Sequence, residues 1–247
     1  MPARPSPRCC MASAAQPNNR VTLAYRKPGA QRTKMTDGLA AMGVAPHSGW
    51  ATVVVLGAAH ANLHVLLRSR IELADRSAPE SKQPFHAIEA LDLDQAAQRL
   101  SHYRTLAEVM AFAAIQSIAA DLSARGSYMT SVGVLESAGR KGSSLASILA
   151  SHSLIHAADG DHFRNALAVA AERSGLTVCR VRARDLEAQA EAALRRPRAL
   201  LRDAVNGLGR QVGPPWGADQ KMAALLAWLL ITQGSRATGS ARMSAAS

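Results

Sequence analysis

The sequence predicts one α/β domain, a mixed five-stranded sheet in the order β-β-β-α-β-α-β-α, flanked by helices. Three observations predict it. The first extended segments follow one another with no helix between them. From Asp92 onward, helical and extended patterns alternate. No linker-like composition divides residues 39–233, and a chain of 247 residues is long enough for one sizeable core. Aromatic residues are only 4% of the chain, which favours helices packed closely through alanine.

The elements follow in order. Residues 1–38 are rich in Pro, Arg, Ala, Ser and Gln without an apolar period, and are expected to be a disordered basic tail. Their acid-poor composition resembles an organelle transit peptide. It equally fits an upstream extension of the reading frame, with Met35 or Met42 as the start. Gly43–Gly57 carries the β-branched run Thr52–Val55 and is expected to hold the first strand. Asn62–Asp75 alternates, with Leu63, Val65 and Leu67 on one side, and reads as the second strand. Ala58–Ala61 is short enough for a hairpin turn, so the two should be antiparallel. Phe85–Leu91 reads as a short third strand.

Asp92 and Asp94 offer N-caps for a helix to about Ala124, with Leu100, Tyr103, Leu106, Met110 and Ile115 on its apolar face. Tyr128–Glu136 is the expected fourth strand. Ser143 or Ser144 can cap a helix to Ala158. Asp159-Gly160-Asp161 is expected to interrupt it, with Asp161 capping a continuation to Ser174. Leu176–Val181 is the fifth strand. Helices are expected at Asp185–Leu194, Ala199–Leu208 and Asp219–Ile231, and the residues from 234 to 247 read as a flexible tail.

The net charge of +11 points first to a polyanion partner. Its distribution tempers that. Residues 1–38 carry +6, residues 234–247 carry +2, and residues 39–233 only +3. Three cysteines, two of them adjacent, give neither a disulfide framework nor a zinc-ligand spacing. A reducing, cytoplasmic setting is therefore the expectation. The longest apolar run, Met222–Ile231, is too short to span a bilayer, and no signal-peptide pattern is visible, so no membrane partner is expected.

Glu136 ends an otherwise apolar strand at the edge where α/β sheets bind ligands. It reads either as a ligand or base, or as a surface charge paired with Arg140 or Lys141. The turn Ser137–Ser144, glycine-containing and basic, leads into a helix N-terminus and suits phosphate contact through Arg140 and Lys141. It lacks P-loop spacing. His152 and His156 lie four apart and share a helix face, with Asp159, Asp161 or His162 available as a third metal ligand. Core histidines are the alternative. Arg180, Arg182 and Arg184 alternate, and with Arg195, Arg196 and Arg198 form either a basic stripe or a solvated face. Trp216 and Trp228 read as core anchors.

Three meander strands followed by alternating helices and strands is the order of the ribonuclease H-like fold. A doubly wound sheet would need a helix after its first strand. Gly43-Val44-Ala45-Pro46-His47-Ser48-Gly49 resembles the first-strand motif of the RuvC-type branch of ribonuclease H-like nucleases, which includes Holliday-junction resolvases. Val132-Gly133-Val134-Leu135-Glu136 is similar to their fourth strand, and Gly217-Ala218-Asp219-Gln220-Lys221 to the start of their last helix. The resemblance covers roughly residues 43–231.

It implies metal-dependent phosphodiester hydrolysis on structured nucleic acid. Glu136 and Asp219 would be catalytic carboxylates and would hold Mg²⁺ or Mn²⁺, with His47 as a further metal ligand. Arg140, Lys141 and Lys221 would contact phosphate. The oligomeric state, homodimer included, is open. One departure stands out: Ala45 occupies the position of the first-strand aspartate, and alanine cannot ligate a cation. Either the two-metal chemistry is lost, leaving a binding or scaffold protein, or His47 substitutes, in which case Zn²⁺ or Mn²⁺ suits imidazole better than Mg²⁺. A third reading is a metalloenzyme built on His152 and His156.

Overall fold

A computed structural model describes residues 38–59, 62–137 and 143–244. The expected basic tail lies outside these residues up to position 37, as do Arg140 and Lys141. Strands β1 (Gly38–His47), β2 (Trp50–Ala59) and β3 (Asn62–Glu72) come first. Helix α1 (Leu93–Ala124) and strand β4 (Ser127–Glu136) follow. Then come α2 (Leu145–Leu149), α3 (His152–Arg173), β5 (Thr177–Arg182), α4 (Leu186–Leu194), α5 (Arg198–Val212) and α6 (Ala218–Ser244).

The sheet order is β3-β2-β1-β4-β5. The β1–β2 and β2–β3 pairs are antiparallel; β1–β4 and β4–β5 are parallel. This is the mixed five-stranded ribonuclease H-like arrangement. Helices α1 and α3 cover one face, through a core that includes Met42, Val44, Val132, Val134, Phe163 and Leu167. Helices α4, α5 and α6 cover the other, around Ala45, Leu135, Leu186, Leu226 and Trp228. Trp216 packs against this second core and donates its indole N–H to the Val205 carbonyl, so both tryptophans are anchors.

Four expectations about elements are corrected. Gly43–Gly57 contains two strands, because Ser48-Gly49 is a two-residue hairpin turn. Gly49 sits at φ +81°, a conformation glycine adopts without strain, and its carbonyl accepts the Leu73 and Ala74 N–H groups. Phe85–Leu91 is not a strand; it turns through a 3-10 segment at His86–Ile88. The outer edge of β3 is met by other groups. Gln211 accepts from the Val65 N–H and donates to the Leu63 carbonyl, blunting that edge. Nor does Asp159-Gly160-Asp161 break α3. Asp159 is buried inside the helix, and the break falls at Ala150-Ser151 instead. Helix α6 also continues beyond Ile231 to Ser244.

Helix α1 is long and apolar enough to cross a membrane by length and composition, yet Ala107, Ala111, Ala114, Ile115, Ile118 and Leu122 are packed in the core beside the sheet. Asp92 caps it as expected: its carboxylate accepts the Gln95 N–H at 2.9 Å. Asp92→Ala should therefore cost about 1 kcal/mol of stability, read as a lowered denaturant midpoint.

Candidate functional site

Register decides what lies at the sheet's C-terminal edge. Val44 of β1 pairs with Val134 of β4, so Ala45 comes to lie beside Leu135. Both are buried and belong to the core under α6. Side chains alternate along a strand, so Glu136, one residue on, turns to the α3 face. There Arg180 Nη1 donates to Glu136 Oε1 at 3.1 Å and to Asn165 Oδ1 at 2.9 Å.

Asp219 opens α6 on the opposite face. Its Oδ2 lies 2.7 Å from His47 Nε2. The His47 ring stacks on Trp50, centroids 4.1 Å apart and nearly parallel, and Arg70 lies over the same indole at 3.8 Å. The structure thus brings His47 and Asp219 together and does not bring Glu136 to them. Two carboxylates expected to share a cation are separated by the sheet. Among the described residues, the Asp219 carboxylate and the His47 imidazole meet here beside Ala45 and Leu135, while the nearby Glu72 carboxylate is held by Arg70. Such a set does not fit a two-metal hydrolytic centre, which needs several hard oxygen ligands for Mg²⁺ or Mn²⁺.

Lys221 lines a separate cavity of about 440 Å³ with Glu187, Arg198 and Arg202, on the α4–α5–α6 side. Three arginines of the basic stripe, and the nearby Arg202, are engaged in ion pairs. Arg180 bonds Glu136, Arg184 lies against Asp185, Arg198 bonds Glu191, and Arg202 forms a two-pronged pair with Glu187.

Glu136 borders a different cavity of about 480 Å³, with Phe85, Arg104, Asp161, His162 and Arg180. Arg164 runs beside it, donating to the Leu135 carbonyl and pairing with Asp161. Burial lowers the Arg164 pKa, while Asp161 and Glu136 act to raise it. His162 is buried, and its Nε2 has no hydrogen-bond partner. Burial, with a lesser push from the Arg104 charge, lowers its pKa to about 4.

The paired histidines of α3 find a third partner, but not one of the three expected. His152 and His156 Nε2 are 3.0 Å apart, and His86, from the turn before α1, joins them. One ligand atom from each of the three lies within 4.8 Å of the others. Asp159 stands behind His86, its Oδ2 2.5 Å from His86 Nδ1, while its Oδ1 accepts the Phe85 N–H at 2.7 Å. Burial raises the Asp159 pKa; the bonds from Phe85 and His86 act to lower it. The sequence offered the His152–His156 spacing, but His86 lies 66 positions before His152 and carries no spacing signal.

No family model matches the chain, and no curated protein matches it. Among the solved structures similar in outline are two of RuvC. Thermus thermophilus RuvC in complex with a Holliday-junction substrate is 13% identical, over 80% of this chain and 96% of that one, with a TM-score of 0.47. The T. thermophilus RuvC structure is 14% identical, over 81% and 97%, with a TM-score of 0.44. The fold class rests on the strand order and pairing themselves: this is an α/β protein of ribonuclease H-like topology.

Proposed function

We propose that this chain is a ribonuclease H-like protein that binds structured nucleic acid and does not cleave it by two-metal chemistry. The observation that carries the reading is the apolar pair Ala45 and Leu135, side by side at the edge where carboxylates would have to converge. Asp219 is tied to His47, and Glu136 faces the other helical layer. The excess of basic over acidic residues supports a polyanionic partner, with Lys221 and the Arg140–Lys141 turn as phosphate contacts.

Binding to branched DNA and to RNA–DNA hybrids should be measurable at low salt and should weaken steeply as salt rises. No cleavage is expected with Mg²⁺ or Mn²⁺, and Glu136→Gln should leave binding unchanged. Divalent-dependent cleavage that disappears in Asp219→Asn would overturn the loss of chemistry. Absence of binding at low salt would overturn the nucleic-acid partner.

A further inference from the structure

We propose that His86, His152 and His156 form a binding site for a divalent transition-metal ion of the zinc class, with Asp159 orienting His86 from behind. The site uses none of the residues discussed for phosphodiester chemistry. It lies where the turn at His86–Ile88 meets the first turns of α3.

Four observations carry it. The first is spacing. A tetrahedral zinc with Zn–N bonds of about 2.0–2.1 Å needs ligand nitrogens about 3.3–3.4 Å apart. Here two Nε2 atoms are 3.0 Å apart and all three ligand atoms fall within 4.8 Å, so side-chain rotation suffices to close the set.

The second is the outer partner. Asp159 holds His86 through Nδ1, which leaves Nε2 as the coordinating atom. Metal-bound histidines characteristically donate their other ring N–H to a carboxylate, which fixes the tautomer and raises ligand basicity. The Asp159 side chain is only 4% exposed and is pinned by the Phe85 N–H as well, so it is a fixed support.

The third is donor chemistry. Three neutral imidazoles suit Zn²⁺, Co²⁺, Ni²⁺ or Cu²⁺ and offer little to Mg²⁺ or Ca²⁺. The fourth is access. His152 and His156 are exposed, so an ion can enter, and three protein ligands leave its fourth position for water or a small anion. Binding would also clamp the Phe85–Leu91 segment to α3, joining parts of the chain that otherwise meet here through Asp159 and a small apolar cluster.

The test is titration of the tag-free full chain with Zn²⁺ by calorimetry, and with Co²⁺ by visible absorption. One equivalent of Zn²⁺ should bind, Co²⁺ should give the intense spectrum of a tetrahedral site, and zinc should raise the Tm. His86→Ala and His152→Ala should each abolish stoichiometric binding. Because His152 is exposed, His152→Ala should keep the metal-free Tm, so lost binding there cannot be ascribed to unfolding. Asp159→Asn should weaken affinity about 10–100-fold. Failure of the wild type to bind, an octahedral Co²⁺ spectrum, or a His86→Ala chain that binds as tightly as wild type would each overturn the site. None of these outcomes bears on the nucleic-acid reading.

Discussion

Gly43→Ala is expected to be the most damaging small substitution in the protein. Gly43 lies mid-strand in β1, the central strand, directly beneath α6. An added Cβ would lie 1.9 Å from the Ala223 carbonyl oxygen and 2.7 Å from its carbon. Those are backbone atoms of a helix and cannot rotate away, so α6 must lift or β1 must shift. Either movement loosens the core formed by Leu226, Trp228 and Leu229 with Ala41, Ala45 and Leu135. The expected loss is about 3 kcal/mol, at the upper end for overpacking. Gly133→Ala on β4 should cost less, because the atoms its Cβ would meet first belong to the Leu226 side chain, which can give way more readily than helix backbone. Denaturant midpoints at unchanged slope measure both. A Gly43→Ala midpoint equal to wild type would mean that α6 does not sit this closely on β1.

The second large effect is on acid stability, through His162. Its pKa falls from 6.5 to about 4 in the folded protein, mainly through burial. Between those values the unfolded chain holds a proton that the native state refuses. Stability from this group is therefore complete above pH 6.5 and is lost as pH falls toward 4. At 1.36 kcal/mol per unit, the loss is about 3 kcal/mol. Asp159 acts in the opposite sense. Its raised pKa makes the native state bind a proton more readily, so its contribution grows as pH falls toward the ordinary carboxylate value. Comparing wild type with His162→Asn isolates the histidine. The ring is also hydrogen-bonded to the Tyr103 backbone, a bond an asparagine amide can take over, and the variant should show a flatter stability profile between pH 6.5 and 4. Identical profiles would rule out His162 as the source.

Much of the fold was legible because its signals are local. The Asp92 cap, the apolar period of α1, the run ending at Glu136, the alternation after Leu176 and the acidic start of α6 each sit within a few residues of what they determine. The order of three meander strands before alternating helices and strands was also legible, but two of those strands lie within the segment read as one, and the third expected strand is a turn. The readings that failed depended on distant partners. Phe85–Leu91 has an extended-looking pattern, but Asp159, more than seventy positions on, takes the Phe85 N–H and holds the segment as a turn. The same aspartate looked like a helix breaker beside Gly160, yet it is satisfied within the helix by those long-range bonds. Glu136 was correctly placed at the end of its strand. Its face could not be read, because facing depends on register against β1, and register is a property of the pair.

That register has one origin. Between Ala40 and Ala41 the β1–β4 ladder shifts by a residue: Ala40 faces Met129, Ala41 faces Ser131, and Thr130 is the extra residue, its hydroxyl on the Ala40 carbonyl. Had the ladder run on unshifted, Glu136 would stand level with His47, on the face that also carries Asp219. The bulge acts as a phase setting for the rest of β4. One inserted position sends Val132 and Val134 to the α3 core and Gly133 beneath α6, and turns the strand's only carboxylate toward the Arg180 cavity. The chemistry available at the far end of this sheet was decided six residues earlier, at a threonine that touches none of it.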